Sequence, residues 1–292
     1  MFQILTFGTI TNKTIKMKKI IIPVDFSKHS EYALETGAVI AKKYDAELIV
    51  MHMLELSESI FSSSSSERNE ETAFMLMVTN KRFEEFLDKP YLEGLTVTPM
   101  IKHHKVLKEV SQVSGEEKAD LIVIGSRGHN DHDGIFTGSN TEKVVRYSET
   151  PVFVVKSKPS DMDYDNVVLG CDFTEKSITA VKNALSVLSE LSKKVTLLHV
   201  NLPNLSFLST DEINEKVSNF LTVAGLEDAD LNIDFTADHA VEDGILNYAR
   251  RTAADAVSII THGRTGLSNF FGGSISEDLV NHSRLPVITF KL

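Results

Sequence analysis

Apolar residues follow two alternating rhythms along the chain. Short unbroken apolar runs take turns with longer stretches in which apolar residues return every three or four positions. Lys19 to Val24 is a run suited to a buried strand. Ser27 or Ser30 can cap a helix behind it. Ala33, Gly37, Ile40, Ala41 and Tyr44 then recur at i, i+4, i+7, i+8 and i+11, a helical stripe. Glu47 to Met53 predicts a second strand, and Thr72 to Asp88 a helix with Leu76, Phe83 and Leu87 on one side. Leu95 to Ile101 predicts a third strand, and Val106, Leu107, Val110 and Val113 mark another helix. A fourth strand follows at Leu121 to Ile124, a helix at Ser139 to Ser148, and a fifth strand at Pro151 to Val155. Near-continuous apolar strands alternating with helices predict a parallel sheet covered on both faces.

The same order then runs a second time, ending with Leu285 to Phe290. Ile20 to Phe26 matches Val167 to Phe173, which places Asp25 and Asp172 147 residues apart. Ala33 and Ala180, and His52 and His199, share that offset. Further on the offset is 135, joining Asp120 to Asp255, Gly128 to Gly263, Gly138 to Gly273, Ser148 to Ser283 and Pro151 to Pro286. The 12 residues lost fall in the interval that holds the Ser-rich run Ser57 to Glu71, expected to be a mobile loop. Four segments result: an extension over 1–16, a first domain over 17–157, a linker over 158–165 and a second domain over 166–292. Residues 1–16 either precede a natural start at Met17 or add an edge strand.

Composition narrows the classes. The chain has 292 residues, 42% hydrophobic and 24% charged, as an average globular protein does. Its formal charge is −11, with 41 acidic against 30 basic residues, so general nucleic-acid binding is not expected. No apolar run approaches the ~20 residues of a membrane helix. Cys171 is the only cysteine, which excludes an intrachain disulfide and a Cys-rich zinc site. With no export signal apparent, a cytoplasmic location is expected.

The candidate chemistry lies after the fourth strand. Gly125-Ser126-Arg127-Gly128 is followed, nine residues on, by Gly138-Ser139-Asn140-Thr141 at the start of a helix. Open parallel sheets bind ligands at the carboxyl ends of their strands. Glycines at 125 and 128 let the backbone come close to a ligand. The helix N-terminus at 138 offers free N–H groups and partial positive charge to an anion, and the Ser139 and Thr141 hydroxyls add donors.

This spacing resembles the ATP-binding signature of the universal stress protein family. Pro23-Val24-Asp25-Phe26-Ser27 is similar to that family's first strand and turn. Leu48 to Met53 is similar to its second strand, Ala119 to Ser126 to its fourth, and Ser148 to Val155 to its closing helix end and strand. The resemblance covers nearly all of Lys18 to Leu292 as a tandem pair. It implies two doubly wound α/β domains, each a five-stranded parallel sheet with helices on both faces. It also implies a pseudo-dimer paired through Phe153–Val155 and Val287–Phe290, with a further homodimer possible. ATP with Mg²⁺ is the implied cofactor. Pro23, Val24 and Asp25 would lie by the adenosine and Met53 by the adenine. Gly125, Ser126 and Gly128 would line the ribose and phosphates, and Gly138, Ser139, Asn140 and Thr141 would hold the phosphate chain.

The second copy departs from the pattern. Gly263, Gly273 and Ser274 are kept, but Ile260 stands where the first glycine belongs, and a β-branched residue there is stiff and bulky. Asp172 is retained, Val200 takes the place of Met53 and Ser276 that of Thr141. ATP binding is therefore expected in the first copy, and weakly or not at all in the second. His129, Asp131, His132 and Asp133 could ligate a metal but read as a solvated loop. Cys171 reads as packing. An Asp after a first strand also suits a phospho-acceptor receiver domain, but the preceding acidic pair is missing.

No Gly-x-Ser-x-Gly elbow, Walker-type loop or paired acid and base is present. The expected function is an ATP-binding stress-response regulator read by a protein partner, with at most slow hydrolysis. The alternatives are an ATP-dependent enzyme on the same fold and a nucleotide-free adaptor.

Overall fold

The computed structural model describes residues 17–54, 65–103, 106–126, 138–159, 164–261 and 274–292. These fall into two units, Met17–Met162 and Asp163–Leu292. The first contains β1 (Lys19–Val24), α1 (Lys28–Tyr44), β2 (Glu47–Leu54), α2 (Ser65–Leu87), β3 (Val97–His103), α3 (Val106–Glu116), β4 (Leu121–Gly125), α4 (Gly138–Tyr147) and β5 (Val152–Val155). Hydrogen bonding orders its strands β3-β2-β1-β4-β5, every pair parallel. β1, β2 and β4 are buried along almost their whole length, as strands covered on both faces must be.

Residues shared by the two copies have structural work at the strand starts and turns. The Asp120 carboxylate accepts the N–H groups of Lys18 at 2.6 Å and Lys19 at 3.1 Å, tying the start of β1 to β4. Asp255 does the same for Asn166 at 2.9 Å. Ser148 donates to the Thr150 carbonyl at 2.6 Å, and Ser283 to that of Leu285 at 2.8 Å, closing the turn before each last strand. Of the two candidate caps for α1, Ser27 serves: its hydroxyl accepts the Ser30 N–H at 3.3 Å. Asp45, in the left-handed region at φ 55°, ends the helix.

Two boundaries differ from the sequence expectation. α2 starts at Ser65 rather than Thr72, so the end of the Ser-rich run is helical. The segment Glu67 to Glu71 holds mostly straight-chain residues that lose little freedom in a helix, and acids suit its first turns. Residues 57–64 of that run, and the extension 1–16, lie outside the described residues. The second unit opens with β6 at Tyr164, inside the span expected as linker. Tyr164 is buried there, and its burial makes a strand of what charge alone marks as a spacer.

The second unit continues with α5 (Ile178–Leu191), β7 (Ser192–Asn201), α6 (Thr210–Ala224), β8 (Asn232–Ala237), α7 (Val241–Arg251), β9 (Ala256–Thr261), α8 (Ser274–His282) and β10 (Val287–Lys291), with β6 spanning Tyr164–Gly170. Its strands run β10-β9-β6-β7-β8, again all parallel. It thus repeats the first unit's order. α6 begins with a capping box: Ser209 accepts from the Glu212 N–H, and Glu212 accepts from the Ser209 N–H.

Candidate functional site

In the first unit the chain leaves β1 toward β2 and β3 on one side, and returns to β4 on the other. The reversal makes a topological switch point at the carboxyl ends of β1 and β4, where this architecture binds ligands. Val24, Asp25 and Phe26 stand at one lip, and Gly125 and Ser126 at the other. The first-copy residues singled out from the sequence on β1 and β4 therefore meet at one place.

The β1 lip is tightly built. Pro23 and Val24 are buried and Asp25 is half-buried. Asp25 Oδ1 accepts the Ser27 N–H at 3.0 Å, which turns the chain into α1. Phe26 adopts φ 61°, a rare conformation for an aromatic residue that costs about 1–3 kcal/mol and persists only where its surroundings enforce it. Here they do. The Phe26 ring lies 4.5 Å from the His52 ring, 5.2 Å from Phe83 and 5.4 Å from Phe86, centroid to centroid. His52 Nδ1 is 2.8 Å from the Val24 carbonyl oxygen. Met53, the expected adenine neighbour, is buried at the end of β2.

At the β4 lip two of the sequence candidates also have structural partners. A Cβ on Gly125 would lie 2.2 Å from the His29 carbonyl oxygen and 3.0 Å from the Ser30 nitrogen. Glycine is required there because the first turn of α1 presses on it, whatever a ligand does. Thr141 is fully buried, and its hydroxyl donates to the Gly125 carbonyl at 3.4 Å. It pins α4 to β4 from inside the protein and so positions the helix. Ser126 is also buried, and its N–H donates to the Val155 carbonyl at 2.9 Å.

One residue absent from the sequence reading joins this lip. Lys156 Nζ donates to Ser126 Oγ at 3.3 Å, and burial lowers the Lys156 pKa to about 8. A single lysine after a strand carries no pattern that sequence could flag. The Phe26 conformation was legible only as an Asp-Phe pair present in both copies.

α4 starts at Gly138, so Gly138, Ser139 and Asn140 form its first turn, where the backbone N–H groups lack intrahelical acceptors. Gly128, Gly263, Gly273 and the loop bearing His129, Asp131, His132 and Asp133 lie outside the described residues. Ser274 and Ser276 belong to the first turn of α8. Among the described residues no cluster of three or more His, Cys, Asp or Glu is arranged to hold a metal ion.

The second unit copies the frame and alters the fittings. Phe173 adopts φ 49°, with its ring 6.2 Å from His199 and 5.3 Å from Phe220. Burial, with Lys216 next, lowers the His199 pKa. Asp172 is engaged by its own turn. Its carboxylate meets the Thr174 N–H at 3.1 Å, the Thr174 hydroxyl at 3.0 Å and the Ser177 hydroxyl at 2.8 Å. In the first unit the Ser27 hydroxyl faces the helix instead. Ile260 is buried where Gly125 stands in the first copy, and residues 175–177 form a 3₁₀ turn before α5 begins. α1 packs close along β4, whereas α5 rests on β7 and β10. Gly170 and Gly244 let α7 settle inward: a Cβ at 170 would lie 2.6 Å from Ile245 Cδ1, and one at 244 would lie 2.5 Å from Val200 Cγ1. Cys171 is buried, and burial pushes its thiol up to about 12, consistent with a packing role.

Two successive doubly wound α/β units, each with a topological switch point at its strand ends, define the class of protein. The universal stress protein family is matched twice, over residues 16–156 and 163–291, and the chain belongs to that family. A universal stress protein of Methanocaldococcus jannaschii is 32% identical over 146 residues, covering 48% of this chain and 82% of its own length. One from Mycolicibacterium smegmatis is 24% identical over 292 residues, covering 93% and 96%. The crystal structure of a universal stress protein from Archaeoglobus fulgidus shares the fold, with a TM-score of 0.64 at 21% identity over 94% of this chain and 98% of its own. No helix among the described residues is long and apolar enough to cross a membrane.

Proposed function

We propose that the chain is an ATP-binding stress-response regulator whose first unit carries the working nucleotide site. The observation that carries this reading is the convergence of Val24, Asp25, Gly125 and Ser126 on one switch point. The first turn of α4 supplies the complementary anion site. Asp25 would meet ribose or base, Met53 the adenine, and Gly138, Ser139 and Asn140 the phosphates through backbone N–H groups. Mg²⁺ would arrive with the phosphates and neutralise part of their charge. Thr141 keeps α4 in place from behind.

The second unit is a weak site or none. Its Asp172 is held by two hydroxyls of its own turn, and Ile260 fills the place of the first glycine. In this reading the chain is a sensor in the cytoplasm, read by a protein partner, rather than an enzyme. Calorimetric titration of Mg-ATP into nucleotide-free protein tests the reading. Binding that disappears on Gly138→Val supports it, and no heat up to millimolar ligand would leave the adaptor reading. Pyrophosphate release dependent on a small acid or amine would instead make the chain an adenylating or amidating enzyme.

A further inference from the structure

We propose that Lys156 supplies a cation to the phosphate tail of the nucleotide held by the first unit. The inference rests on the nucleotide reading above and adds a residue to it. Lys156 directly follows Val155, the residue in register with Gly125 at the end of the β4–β5 pair. The Ser126 N–H bonds to the Val155 carbonyl, so the two chains leave the sheet side by side. The lysine side chain then crosses to Ser126 Oγ at 3.3 Å. Its ammonium thus lies at the strand end from which residues 127–137 lead to α4, the helix whose N-terminus suits an anion.

In the second unit the serine's place is taken by a threonine whose hydroxyl turns to the backbone. Lys291 occupies the position matching Lys156, but the Thr261 hydroxyl, in the place of Ser126, donates to the Phe290 carbonyl at 3.3 Å. The difference runs the same way as the Gly125 to Ile260 change.

Burial of the ammonium gives the proposal a measurable consequence. The helices packed against β5 carry Lys28, His29, Glu31, Glu35, Lys42 and Lys43 on α1 and Glu142, Lys143 and Arg146 on α4. Glu31 bridges to Lys89 at 2.6 Å and Glu35 to Lys158 at 3.9 Å. Burial is what holds the Lys156 pKa near 8. A polyanion beside the ammonium would raise that pKa again, so binding near pH 8 takes up a proton. With a free-state value of about 8, the uptake is about half a proton at pH 8, and affinity falls about tenfold from pH 7 to pH 9.

The test is calorimetry of the full chain with Mg-ATP, in buffers of different ionisation enthalpy, at pH 7, 8 and 9. Wild type, Lys156→Met and Lys156→Arg are compared, and adenosine serves as a second ligand. The proposal expects buffer-dependent heat in wild type only. It expects weaker ATP binding with an unchanged adenosine affinity in Lys156→Met. Lys156→Arg should bind ATP equally at pH 7 and pH 9, which also shows that the site folds without the lysine. Wild-type ATP binding with no proton uptake and no effect of Lys156→Met would overturn the proposal and leave the nucleotide reading standing. Equal loss of ATP and adenosine binding in Lys156→Met would assign the lysine a structural role and overturn it too. Absence of wild-type binding to either ligand would sink both readings.

Discussion

Replacing Gly125 by alanine separates two explanations of why a glycine ends β4. The added Cβ would lie 2.2 Å from the His29 carbonyl oxygen and 2.4 Å from its carbon, where ordinary contact needs more than 3.4 Å. Both atoms are backbone, so no rotamer change relieves the clash. The first turn of α1 must retreat by roughly 1 Å, and overpacking of this kind costs about 1–3 kcal/mol. The same movement disturbs the Ser27 cap and the Asp25 turn, so nucleotide affinity falls as well. Urea unfolding of nucleotide-free protein reads the first effect. At a slope of about 2 kcal/mol/M, the first unit's midpoint drops by about 0.5–1.5 M. An unchanged midpoint with lost ATP binding would refute the reasoning, because the glycine would then serve the ligand alone.

Two further outcomes are expected. Thr141→Val removes the buried hydroxyl bond to the Gly125 carbonyl and lowers stability by about 1 kcal/mol, measured without nucleotide; an unchanged stability would deny it the clamp role. His282 Nδ1 lies 2.6 Å from Glu242 Oε1, and this hydrogen bond raises the His282 pKa above its usual 6.5. Because the folded value is the higher one, the pair's stabilisation is complete below about pH 6.5 and is lost as pH rises through the folded pKa. Glu242→Gln should flatten that part of the stability–pH curve of the second unit, and an unaltered curve would exclude the pair as its source.

Much of the architecture was legible because the chain contains its pattern twice. Asp120 and Asp255 share an offset with Gly138 and Gly273, and that regularity located two units, while apolar strands alternating with helices gave the parallel sheets. What the offsets could not say is which atoms each shared residue meets. Gly125 belongs to a nucleotide-binding spacing, yet the atom that forbids its Cβ is the carbonyl oxygen of His29, far away in sequence. Thr141 has a phosphate donor's chemistry, but it sits at a helix position that turns inward. Lys156 has no pattern at all, since desolvation is a property of the assembled strand ends. The Ser-rich run misled at Ser65 to Glu71 because composition averages over a segment, while the helix start depends on the residues that follow the serines.

The difference between the two units is the centre of the account, and counting sites tests it most directly. Mg-ATP titrated into the nucleotide-free 292-residue chain should bind at one site per chain. Gly138→Val should abolish that binding, and Gly273→Val should leave it intact. Two equivalent sites per chain, or a single site lost on Gly273→Val, would contradict the assignment of the working site to the first unit.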